Sequence, residues 1–477
     1  MAIYVKVLRR SPCTPALGSN ARAARIVPGL LQLSLVLLFA CLLAGCGTFS
    51  IQGSLKSPAE VAATAQARSA SATVTPQPRL GQVAFIQGGD LWVQELPEGL
   101  PRRLTQDGRN STPLWSPSGE WIAFRKEHGV WVTRSSGTAT RVVDTSGVRQ
   151  FAWSPEADRL AYIAQGALFT ENADGTDRRE LVPTTRGAEG SGVTAMAWSP
   201  DGGWIAFEKL EQMPQKLPNV QGLWRTKVDG SEIKEVYLNP DPFQAQSHLA
   251  GWSPDGQFLL FWQGERMSAS LLADGVPLIR VPVVGGTPAQ ITIAMLAYRD
   301  FLAWSPDGQQ LALADGGFRG TWDNKAIAVA PLTGGLQRLS ESGRADLFPA
   351  WSQDGRWIAF ASGQAAPGVG GDYEAWRAIA QRRIWLMQSD GSARRPLTND
   401  ENFRDERPRW SADGTFILFV RLSGAQAQLW LMRADGSEQR PVVSGMTPSP
   451  GWFGSYGYID WSQLYDWWTG GHATRSL

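Results

Sequence analysis

Trp198-Ser199-Pro200-Asp201-Gly202-Gly203-Trp204-Ile205-Ala206-Phe207 is the stretch on which the fold turns. Pro sets φ near −65°, Asp hydrogen-bonds nearby backbone, and Gly takes a left-handed position that other residues resist, so Pro-Asp-Gly predicts a tight turn. The apolar run after it is short, aromatic and β-branched, which predicts a buried strand rather than a helix. The unit repeats. Trp-Ser recurs at Trp115, Trp153, Trp198, Trp252, Trp304, Trp351, Trp410 and Trp461, between 38 and 59 residues apart. Runs such as Trp121-Ile122-Ala123-Phe124, Trp357-Ile358-Ala359-Phe360 and Phe416-Ile417-Leu418-Phe419 follow it.

Each unit continues with a third strand, as in Val130-Trp131-Val132 and Leu429-Trp430-Leu431-Met432, and with a second turn in most repeats, as in Asp435-Gly436. A more polar fourth strand closes it, for example Gln337-Arg338-Leu339. Four antiparallel strands per unit, repeated along the chain, predict an all-β fold: a β-propeller of four-stranded blades. Leu80 to Thr105 supplies strands two to four of a unit without a Trp-Ser strand before them, while Tyr458 to Ser462 offers a Trp-Ser strand with nothing recognisable after it. The second completes the first if it pairs beside Val83 to Phe85, closing the ring with no exposed edge at the join. Eight blades are expected, or seven if the weak Trp153 unit or the closure is misread. The domain reading is residues 1–45 as a signal, 46–79 as a tether, 80–462 as the propeller and 463–477 as a tail, where Trp467-Trp468 could seal the channel or meet a membrane interface.

From Leu80 to Ser462 these units resemble the WD40-like repeats of the TolB-type propeller family. The resemblance implies architecture far more than activity. TolB has a further α/β domain before its propeller, which this chain is expected to lack, and prolyl oligopeptidases pair a related propeller with a hydrolase domain. Neither whole-protein function is implied here.

The amino-terminal region carries Lys6, Arg9, Arg10, Arg22 and Arg25, then an apolar run from Leu30 to Leu43. That run is too short to cross about 30 Å of hydrocarbon as a permanent helix and reads as a secretion signal. It ends in Leu43-Ala44-Gly45-Cys46, which resembles a bacterial lipobox; the implied lipidation site is Cys46, and the implied location is exported, lipid-anchored to a membrane, on a periplasmic or extracellular face. Residues 47–79 are rich in Ala, Ser, Thr, Gln and Pro and read as a flexible tether. Removing the signal takes five cations from a chain of net charge +1, which leaves no basic domain and excludes nucleic acid as an expected partner.

Little in the sequence carries chemistry. His128, His248 and His472 fit no metal spacing, no cysteine lies in the propeller, and no Gly-x-Ser-x-Gly elbow occurs, so neither metal nor cofactor is expected. The Asp-Gly pairs offer one carboxylate each, too few for calcium. The tryptophans are expected mostly between blades.

In the family that the chain resembles, the strand ending in Trp-Ser approaches the central channel, so the residues before it are the candidate ligand-binding rim. They include Arg149, His248, Arg299, Asp300, Arg344, Asp346, Arg404, Asp405, Glu406 and Arg407. These charges would either bind a polar segment, or pair across neighbouring blades or simply face water. Three insertions, Glu208 to Gly222, Gln263 to Leu278 and Ser362 to Arg383, are expected on the opposite face. The last contains a short helix, capped by Asp372, whose Tyr373, Trp376 and Ile379 would share a side and either pack on their own blade or meet a partner. Two functions are open. One is a monomeric, tethered, non-catalytic scaffold binding an envelope protein segment or polymer. The other is a polysaccharide hydrolase or lyase using acids such as Asp300, Asp346 and Glu406.

Overall fold

The computed structural model describes residues 80–184, 192–211, 220–240, 245–265, 274–332, 334–366, 373–448 and 456–470. The signal, Cys46 and the tether therefore lie outside the described residues, as do Asp372 and His472. Among the described residues the strands form eight four-stranded antiparallel sheets. Blade 1 begins with Gln82–Gln87, and blades 2 to 8 each begin with an inner strand: Asn110–Trp115, Val148–Trp153, Gly192–Trp198, Ala245–Trp252, Leu302–Trp304, Arg344–Trp351 and Arg404–Trp410. The Trp153 unit is a complete blade, so the count is eight rather than seven. No helix among these residues is long and apolar enough to cross a membrane.

The turn chemistry is as the sequence implies. The Ser199 hydroxyl donates to Asp201 Oδ1 at 2.5 Å, the Gly203 N–H donates to the same oxygen at 3.0 Å, and the Trp204 N–H donates to Ser199 Oγ at 2.9 Å. Gly202 has φ +65°, the conformation that requires glycine there. Ser305 and Asp307, and Ser352 and Asp354, make the same bonds. These bonds satisfy the carboxylates as anions and hold Asp201 and Asp307 below the ordinary 3.8, and Asp354 at about 2. In the unfolded chain the same groups titrate at the ordinary value. The stability they contribute is thus present above it and lost as pH falls through the lowered values. The thermal midpoint should stay level from about pH 7 to about pH 5 and fall steeply between about pH 4 and pH 2. D307N/D354N should show a shallower acid limb than the parent protein; an identical limb would contradict the assignment.

The repeat tryptophans join the blades. The indole N–H of Trp153 donates to the Leu114 carbonyl at 3.0 Å, that of Trp198 to Ala152 at 3.1 Å, and that of Trp252 to Ala197 at 3.0 Å. Trp351 and Trp410 do likewise to Ala303 and Ala350, each at 3.1 Å. The acceptor is always the residue before the preceding blade's tryptophan. Each such bond contributes on the order of 1 kcal/mol beyond the ring's burial. The third-strand tryptophans Trp92, Trp131, Trp224, Trp385 and Trp430 stand opposite Phe85, Phe124, Phe207, Phe360 and Phe419 in their own blades, and Trp131, Trp224, Trp385 and Trp430 also pack against the preceding blade.

The ring closes where expected but with a different segment. Tyr465–Trp468 pairs antiparallel with Gln82 to Phe85, whereas Trp461–Gln463 is a single 3-10 turn. Asp460 explains the turn: its carboxylate accepts from the Ser462 N–H at 3.1 Å and the Ser462 hydroxyl, which starts the turn and ends extended backbone. Trp467 then takes the repeat position opposite Val83, and its indole donates to the Leu80 carbonyl at 2.8 Å. The propeller accordingly extends to Trp468, and Trp467-Trp468 is its closing strand rather than a loose tail. The Trp468 indole reaches blade 2, donating to the Pro117 carbonyl at 3.0 Å.

Candidate functional site

Strand register fixes which loops share a face. Arg344 pairs with Gln364, and Arg404 with Leu422, so the start of each inner strand lies beside the end of its second strand. The loops before inner strands and the loops between second and third strands therefore leave the same face. The insertions sit on the rim face, not opposite it, because strands that alternate in direction bring those two ends together. The helix in the last insertion (α1, Tyr373–Ala380) turns Ala375, Ala378 and Ile379 inward against Phe318, Trp322 and Tyr456. Tyr373 and Trp376 face out, 77% and 50% exposed. Ile379 thus parts from the other two, and α1 packs on the neighbouring blade's loop as well as on the second strand of its own blade.

Most of the rim acids are internal. Asp346 is fully buried, and both its oxygens accept from Arg394 Nη2, at 3.0 and 2.8 Å. Asp405, equally buried, is gripped by Arg421 at 2.7 and 2.8 Å. Glu406 accepts from Arg382 and from Arg404 Nε at 2.9 Å. Burial works to raise its pKa, but the two guanidiniums outweigh that and hold it below the ordinary carboxylate value. Arg344 stacks over Trp385 at 4.3 Å and donates to Ser362 at 2.7 Å. Asp346, Asp405, Glu406 and Arg344 thus meet partners within the protein.

Others face the channel. Asp300 Oδ2 lies 3.4 Å from Arg407 Nε, and both side chains are mostly buried. Burial raises the pKa of Asp300, while the carboxylates of Asp300 and Asp460 overcome the effect of burial on Arg407 and raise its pKa. His248 is partly exposed, with Nδ1 at 3.8 Å from Glu208. Glu208 itself accepts from the Thr194 hydroxyl at 2.7 Å and the Leu249 N–H at 3.1 Å. Arg299 donates to the Leu249 carbonyl at 3.3 Å. Among the described residues no three His, Cys, Asp or Glu side chains gather as a metal site would need.

Tyr456 to Tyr458, which lead into the unit that the sequence implied as a strand, cross the mouth of the channel. The Tyr456 carbonyl accepts from the Thr321 N–H at 3.0 Å, and the Gly457 carbonyl accepts from Arg382 at 3.1 Å and Arg404 at 2.9 Å. Tyr458 then stacks on Tyr298, with centroids 3.6 Å apart, and meets Phe301 and Phe348. Arg382, Arg394 and Arg421 were outside the residues before Trp-Ser and so were missed. Arg421 ends the apolar run Phe416 to Val420, and a charge continuing a buried strand signals a buried partner.

Beside this segment lies a cavity of about 350 Å³ lined by Ser111, Thr112, Arg125, Arg149, Gln150, Phe151, Asp460, Ser462 and Gln463. Two inner strands, the end of a second strand and the 3-10 turn meet there. Arg125 donates to the carbonyls of Val148 at 2.6 Å and Arg149 at 3.1 Å, and lies over Phe151. Arg149 is the charged member of the sequence-derived rim that lines the cavity.

Known proteins resemble this arrangement at the level of the repeat and the fold. The family model for the WD domain, G-beta repeat, matches residues 179–206. An uncharacterised protein of Agrobacterium fabrum is 28% identical over 227 residues, which is 40% of this chain and 69% of that protein. Porphyromonas gingivalis dipeptidyl peptidase 4 superposes with a TM-score of 0.53 at 14% identity, over 78% of this chain and 60% of that one. TolB from Acinetobacter baumannii matches with a TM-score of 0.35 at 14% identity, over 81% of this chain and 69% of that one. The chain is an eight-bladed β-propeller carrying a WD40-type repeat.

Proposed function

We propose that this propeller is a non-catalytic binding protein, exported and held at a membrane through lipid on Cys46, that takes a protein segment or envelope polymer at the channel mouth. The observation that carries the reading is the fate of the carboxylates. Hydrolysis of a glycosidic bond needs two carboxyl groups about 5 to 10 Å apart with a substrate between them. Asp346 is spent on Arg394 and Glu406 on Arg382 and Arg404, while Asp300 is largely buried beside Arg407. These pairs make a rigid, polar rim, which suits recognition: loops held by a scaffold lose little freedom on binding.

Photo-crosslinking in cells tests this. A benzophenone amino acid at position 149 or 248, on the mouth face, should capture a partner, whereas one at Ser437, in an exposed turn at the other end of the strands, should not. The adduct should fractionate with membranes and leave them when Cys46 is replaced by Ser. Equal capture at all three positions, or none at the mouth, would overturn the reading.

A further inference from the structure

We propose that the cavity between blades 2 and 3 and the Asp460 turn binds the carboxylate of an acidic side chain in a peptide segment; this rests on the binding reading above and names its anchor. Three polar groups in the wall are uncommitted. The Arg149 guanidinium is exposed at the mouth and has no partner among the described residues, and the hydroxyls of Ser111 and Thr112 likewise make no bond there. Thr112 has φ +52°, a conformation costly for a β-branched residue. It sits just before Pro113, in the bulge between Ser111 and Leu114.

Charge selects the ligand class. Arg125 and Arg149 contribute two positive charges and Asp460 one negative, so the cavity matches a monoanion better than a phosphate dianion, which Asp460 would repel. Asp460 Oδ1 and Oδ2 already accept from Ser462 and Gln463 at 3.1 Å each, which fixes the carboxylate where it can also accept a backbone N–H from the ligand. Arg125 holds two carbonyls, so it supplies charge, and Arg149 supplies the free fork of donors that a carboxylate takes in a charge-assisted pair. Phe151 is buried and its ring is covered by Arg125 at 5.5 Å. No open aromatic face is left on this wall for a sugar ring, which favours a peptide acid over a uronic acid.

The test is binding by the full-length protein in detergent, measured calorimetrically with four probes: acetyl-Gly-Ser-Glu-Ser-Gly-amide, its Gln counterpart, galacturonate and inorganic phosphate. The Glu peptide should bind most tightly. The Gln peptide, and R149A with the Glu peptide, should each be weaker by at least about tenfold, as loss of a charge-assisted pair requires. R149K should recover part of the loss. Equal affinity for the Glu and Gln peptides, unchanged binding by R149A, or no binding of the Glu peptide would overturn the proposal. Tighter, Arg149-dependent binding of galacturonate or phosphate would also overturn it, in favour of a polymer acid or a phosphate. If the peptide fails while crosslinks at 149 and 248 persist, this cavity assignment falls and the binding reading stands.

Discussion

Replacing Arg382 by Met should destabilise the ring by about 3 kcal/mol or more, because it breaks a fully buried ion pair and leaves Glu406 with one guanidinium instead of two. Arg382 is 1% exposed and joins three parts of the mouth. It donates to Glu406 in blade 8, to the Thr321 carbonyl and hydroxyl at 3.0 and 2.5 Å in blade 6, and to the Gly457 carbonyl in the crossing segment. Burial lowers its pKa to about 10, with Glu406 working against that, so it remains a cation at neutral pH. The thermal midpoint of R382M should fall clearly. The R382M/E406Q double variant should lose less than the sum of the two single losses, since the stranded charge is then gone. Additive losses would mean that the two side chains act independently.

Replacing Trp467 by Ala should cost about 3 to 5 kcal/mol, the range for removing a large buried ring. Trp467 is 3% exposed in the closing strand, and its indole holds the segment leading into blade 1 through Leu80. The strand also carries Asp466, which accepts from the Trp115 N–H at 2.9 Å and pairs with Arg409 at 3.4 Å. W467A should therefore open blade 1 before the rest melts, seen as early proton exchange in residues 82 to 95 ahead of global unfolding. Replacing Trp461 is the useful contrast. It is equally buried but donates to Glu406 and joins no strand pair of blade 1, so its loss should loosen the mouth and disturb exchange in blade 1 less than W467A does. Exchange in blade 1 as early from the Trp461 variant as from W467A, or no early exchange from W467A, would put the clasp elsewhere.

The repeat made the architecture readable because its residues do local work: Ser, Asp and Gly build a turn that needs no tertiary help, and the indoles of Trp153, Trp198, Trp252, Trp351 and Trp410 reach one blade back. Blade 3 keeps Trp153 and Ser154 while replacing Asp-Gly, and folds fully all the same. Closure was misassigned because Trp461-Ser462 has the right letters, but Asp460 bends the chain before it can extend. Trp467-Trp468-Thr469-Gly470 is the weaker echo of the repeat that does close the ring. The rim was half legible. The acids before each Trp-Ser do lie at the mouth, yet their arginine partners come from other strands and from α1's own loop, and no single-sequence spacing links Arg382 with Glu406 or Arg394 with Asp346. The cavity was invisible for the same reason, since Asp460 reaches Ser111 only through closure.

The clasp has a mechanical corollary. Gln82 pairs with Trp468 and Phe85 with Tyr465, so the first and last described residues leave the ring side by side at the same end of one antiparallel pair. A pull on the two chain ends would load those four pairs one after another, as a zip opens, rather than all at once in shear. The ring would give way first at its seam, at low force, while the seven covalently continuous blades remained intact.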